Sequence, residues 1–82
     1  MITPQLKEKI EPHLKRQLAL EDYQYIDDMF SEAYETHKKG VAYITIKPPM
    51  NSSLGGFQFD KLTGAFHTIV NWREMRRIGR RL

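Results

Sequence analysis

The stretch GFQFDKLTGAFHTIV, residues 56–70, constrains the fold most. Aromatic and polar residues alternate at period two on both sides of DKLTG, the pattern of an antiparallel hairpin. A turn over residues 61–64, with Gly64 taking a positive φ, sets the register. It places Phe59 opposite Phe66 and Phe57 opposite Thr68, with Gln58 and His67 paired on the other face. Three phenylalanines on one face require a cover. The chain has 82 residues and no cysteine, so no disulfide can replace a packed core. Helices laid on the Phe57/Phe59/Phe66 face are the expected cover.

A further strand precedes the hairpin. VAYITIK, residues 41–47, is β-branched and alternating, with Ala42, Ile44 and Ile46 on one face. Pro48 and Pro49 cannot donate to a ladder and end it.

Three helical segments complete the reading. Thr3 suits an N-cap and Pro4 the first helical position. Pro12 is expected to divide the Leu6–Ile10–Leu14–Leu18 pattern into a short helix to about residue 10 and a second piece beginning near Pro12, with a kinked single helix as the alternative. Residues 21–39 are expected to form one longer helix. Its apolar arc carries Tyr23, Ile26, Met29, Phe30, Ala33, Tyr34 and His37, and Gly40 stops it. The adjoining arc carries Asp27, Asp28, Glu32 and Glu35. Asn71 with Glu74 three residues on has capping-box spacing and starts a last helix over residues 72–82. The expected fold is therefore a single α+β domain over residues 1–82. It has N-terminal helices, a three-stranded antiparallel sheet with a hairpin, and a C-terminal amphipathic helix.

Net charge is +3, but its distribution is more informative. Residues 21–35 carry six acids and no base, while residues 72–82 carry five arginines and one glutamate. On a helical wheel, Arg73, Arg76, Arg77, Arg80 and Arg81 share one arc, and Trp72, Met75, Ile78 and Leu82 share another. Arginine's planar fork matches phosphate and carboxylate in two-point contacts. The arginine face is thus expected to dock on a polyanion, either nucleic acid or the acidic surface of a protein or nucleoprotein complex. The bland readings are a solvated face, or pairing with Asp27, Asp28, Glu32 and Glu35 within the chain or across a homodimer. No zinc-finger spacing, RNP-type aromatic strand or helix-turn-helix pattern is present.

The alternative function is a phage- or plasmid-type inhibitor or adaptor. It would engage a host protein through Tyr25, Asp27, Asp28, Glu32 and Glu35, because tyrosine and charge suit protein interfaces. A third class, an enzyme, would have to use His67 with Gln58 and Asp60. An exposed polar sheet face accounts for these three residues better, so a non-catalytic binding protein is expected. NSSLGG, residues 51–56, lacks the lysine and spacing of a phosphate-binding loop, and Ser52 and Ser53 have no base near in sequence. His13, His37 and His67 lack metal-ligand spacing, so neither metal nor cofactor is expected. No apolar run reaches membrane-spanning length and no signal core is present, so the expected location is the cytoplasm.

Overall fold

The computed structural model describes residues 2–49, 55–68 and 71–82. The first helix, α1, spans Pro4–Gln17, with Thr3 as N-cap accepting from the Leu6 amide at 3.3 Å. Pro12 does not divide it, contrary to expectation. An interior proline costs about 3 kcal/mol through its missing donor and its ring clash. Ile10 and Leu14 flank Pro12 and are fully buried, and each such burial contributes about 1.5–3 kcal/mol, enough to offset that cost.

A 3₁₀ turn, Leu20–Tyr25, leads into α2, Ile26–Ser31, which buries Ile26, Met29 and Phe30. The single helix expected over residues 21–39 is corrected here. The chain leaves the helix at Glu32 and forms strand β1, Ala33–Lys38. The tail AYETHK satisfies a period of two as well as a period of 3.6. The strand wins because β2, Val41–Ile46, lies beside it and pairs with it along its whole length. Lys39 and Gly40 join the two strands with φ of 53° and 79°. Positive φ at both turn residues is what a two-residue type I′ hairpin needs. Gly40 thus takes the positive φ that its sequence suggests, but in a hairpin and not at a helix end.

Strands β3, Phe57–Asp60, and β4, Phe66–Thr68, form the expected hairpin. Its register is Phe57↔Thr68, Gln58↔His67 and Phe59↔Phe66, with Gly64 at φ 77°. Among the described residues the sheet has five strands and not three, in the order β4-β3-β2-β1-β5, antiparallel throughout. The missed strands, β1 and β5, lie together on one side of β2. The fold is α+β, as expected.

The register assigns every strand residue to a face. Ala33, Ile44, Ile46, Phe57 and Phe59 face α1 and α2 and form the core with Ile10, Leu14, Ile26, Met29 and Phe30. His13 of α1 stacks on Phe66 at 5.2 Å between ring centroids. The opposite face presents Tyr34, Thr36, Tyr43, Thr45, Gln58 and His67. The last helix, α3, spans Trp72–Ile78 and packs on this second face, so the helices do not all share the phenylalanine side. It also stops earlier than expected. After Gly79 the chain extends into β5, Arg80–Arg81, which pairs with β1. Among the described residues, no helix is long and apolar enough to cross a membrane.

Candidate functional site

Local chemistry starts α3 where the sequence suggests. Asn71 caps it, its side-chain oxygen accepting from the Glu74 amide at 3.0 Å. The reciprocal half of a capping box is absent, because the Glu74 carboxylate turns to Arg77 instead. The hydrogen bond from Arg77 holds the Glu74 carboxyl below its usual range, against a smaller opposing effect of desolvation. Trp72 and Met75 are half-buried against the sheet.

Gly79 ends the helix for a steric reason. A side-chain carbon there would sit 2.7 Å from the Met75 carbonyl oxygen and 2.9 Å from Thr36 Cγ2. Only glycine lets the chain pass this close to β1.

The turn at Gly79 breaks up the arginine arc. Arg73, Arg76 and Arg77 project from α3 and are exposed. Arg76 stands over the Trp72 ring, 5.8 Å from its centroid. Arg80 and Arg81 are successive strand residues, so they point to opposite sides of the sheet. Arg81 is opposite Tyr34, on the α3 side, and donates to the Ser31 carbonyl at 3.4 Å. Arg80 is opposite Glu35, on the core side, and donates to Glu35 Oε1 at 2.9 Å. Four arginines therefore share one side of the molecule and the fifth is held on the other.

Among the described residues, Glu35 is the one predicted acidic-face residue that reaches an arginine by a salt bridge. It is 9% exposed, and Lys61 and His37 stand 3.6 and 3.7 Å from its second oxygen. It lines a cavity of about 290 Å³ together with the apolar Ile2, Leu6, Ile44 and Leu82. The other carboxylates do not form the continuous helical face expected. Asp27 pairs with Lys7 at 2.7 Å, and Lys47 bridges Asp28 and Glu32 at 3.0 and 3.5 Å. Tyr25 ends the 3₁₀ turn and is half-buried. The dispersal follows from the chain leaving the helix at Glu32.

Beside α3 the second sheet face carries a groove of about 750 Å³. Its floor comes from Thr36, Tyr43, Gln58 and His67, and its wall from Asn71, Met75 and Ile78. Lys38 and His37 also line it, and its described lining contains no carboxylate. Asp60 shares this sheet face but is committed to its own turn, accepting from the Leu62 and Thr63 amides at 2.8 and 3.2 Å. Desolvation raises its carboxyl pKa, but those amide bonds outweigh it and hold the group below its usual range.

Sequence reasoning pairs Gln58 with His67 and misses the groove, because α3 was expected on the other face. The alternation of Thr36 and Lys38 was the available signal for β1, the missed strand under this site. The Ser52 and Ser53 reading falls outside the described residues. Among those residues, no cluster of three or more metal-ligating side chains forms.

Comparison with known protein families, with curated proteins and with solved structures finds no match to this chain.

Proposed function

We propose that this is a non-catalytic binding protein whose α3–β5 segment docks on a polyanionic partner, nucleic acid or a nucleoprotein complex. One observation carries the reading. Arg73, Arg76 and Arg77 on α3 and Arg81 on β5 all stand on one side of the sheet, and α3 is anchored by its opposite face. Of these, only Arg77 has a carboxylate partner among the described residues. Cations left without counter-charges on a rigid support are set to meet phosphates without first breaking internal ion pairs. The acidic alternative has less support, since Asp27, Asp28 and Glu32 already face lysines.

The test is removal of Arg73, Arg76 and Arg81 together, each changed to glutamine. Arg77 is kept because it holds Glu74. Affinity for a duplex should fall strongly, and the log–log salt slope should flatten by up to about 3. Thermal stability should stay near wild type. Unchanged affinity with a lowered melting temperature would reject the docking surface.

A further inference from the structure

We infer that the groove between α3 and the sheet receives unpaired bases, making the polyanion a single-stranded nucleic acid; the inference rests on the docking reading above. Three features of the groove point to this chemistry. First, its titratable side chains are Lys38 and His67, and no carboxylate is among its described lining residues; His37 also borders it but turns its ring to Glu35 on the core side. An anionic ligand is favoured there and an acidic–basic mixed surface is not. Second, two carboxamides, Gln58 and Asn71, border the same space. Gln58 presents a donor and an acceptor side by side, which matches the edge of a nucleobase once Watson–Crick pairing no longer occupies it, and Asn71, whose oxygen caps α3, adds its amide N–H donors. Third, the groove offers surfaces for a flat apolar ring. Tyr43 lies on its floor, and Met75 with Ile78 forms its wall. Ile78 is 55% exposed and gains cover from such a ring. Stacking on a tyrosine accepts any base, because every base has a π-face.

The volume agrees with this assignment. About 750 Å³ lies in the upper part of the range for ligand sites, roughly 300–1,000 Å³. A duplex keeps its bases stacked inside and cannot insert them beside Tyr43 without being opened. The outer face of α3 is one helix diameter away, about 10 Å, so one strand can place bases in the groove and phosphates on Arg73, Arg76 and Arg77.

Fluorescence anisotropy with a labelled 15-mer of oligo-dT, one of oligo-rU, and a blunt duplex of the same length tests the inference. Heparin and poly-glutamate serve as competitors. Both single strands should bind at least about tenfold more tightly than the duplex at equal salt. Tyr43→Val keeps a strong strand former and removes the ring. It should weaken single-strand binding about tenfold and duplex binding less than twofold. Should that variant not fold, Gln58→Ala and a wild-type titration with oligo-dT followed by amide shifts provide the second reading. The shifts should move His37, Lys38 and His67 as well as α3.

Equal affinity for single strand and duplex, or single-strand binding untouched by Tyr43→Val and Gln58→Ala, overturns the groove assignment and leaves the arginine surface standing. Poly-glutamate competing as well as nucleic acid does the same in favour of an acidic protein. Absence of binding to every polyanion overturns both proposals.

Discussion

Gly79 shows how one missing carbon sets the course of the C-terminus. Helix propensity alone favours alanine over glycine by about 1 kcal/mol. If α3 ran on to residue 82, Gly79→Ala would stabilise the protein. In the structure, the added carbon would meet the Met75 carbonyl, Thr36 Cγ2 and the Glu35 carbonyl at 2.7, 2.9 and 3.0 Å. Two of the three atoms are backbone and cannot rotate away. The Gly79 backbone itself is extended, at φ −89° and ψ 170°, so the obstacle is steric and not conformational. Gly79→Ala should therefore destabilise by about 1–3 kcal/mol, as overpacking does. Urea denaturation decides the sign, and a stabilised variant would mean that β5 does not form.

At the scale of elements, β5 is the weakest and most informative piece. It contributes two residues to the sheet, held by the Leu82 amide donating to the Ala33 carbonyl at 3.0 Å and by the Arg80–Glu35 pair. Removing one partner of a buried pair costs about 3–5 kcal/mol. Arg80 is 78% exposed and Lys61 remains near Glu35, so solvent screening reduces the expected loss for Arg80→Ala to about 1–2 kcal/mol. The loss should be local. Hydrogen exchange at the Leu82 amide should quicken while amides within α1 keep their protection. Arg80→Lys keeps the charge without the fork and should fall between the two. If exchange at Leu82 is the same in all three proteins, then packing of Leu82, not the ion pair, holds the strand.

The whole molecule separates its charges by layer. Lys7 and Lys47 tie α1 and the end of β2 to the carboxylates that follow the 3₁₀ turn, and α3 carries its arginines on the far side of the sheet. These pairs set opposite limits on the pH range of stability. Glu74 and Asp60 titrate below their ordinary values in the fold. Their contribution is present above the unfolded carboxyl pKa and is lost as pH falls through the lower folded value. Lys7 and Lys47 titrate above theirs, chiefly through hydrogen bonds to Asp27 and Asp28. Their contribution is present below the unfolded lysine pKa and is lost as pH rises through the higher folded value. Melting temperature should therefore be flat through neutrality and fall at both ends. Glu74→Gln should soften the acid limb and leave the alkaline limb unchanged. Circular dichroism melts across pH check this, and an acid limb unaltered by Glu74→Gln would remove the Glu74–Arg77 pair from the account.

Features that depend on neighbours in sequence were legible in the sequence alone. The β3–β4 register, the positive φ of Gly64, the alternation of Ala42, Ile44 and Ile46, and the caps at Thr3 and Asn71 each depend on residues within a few positions of one another. Steric and hydrogen-bonding preferences at that range are nearly independent of the rest of the fold. Three outcomes required the tertiary structure. Residues 33–38 satisfy both a helical and a strand period, and only β2 lying alongside selects the strand. Pro12 stays within a helix because Ile10 and Leu14 are buried on either side of it. The arginines divide four to one because Gly79 must pass β1 too closely for any side chain, which turns a helical arc into a strand with two faces. In each case local preferences were weak or evenly matched, and burial or close approach between segments distant in sequence supplied the larger energy.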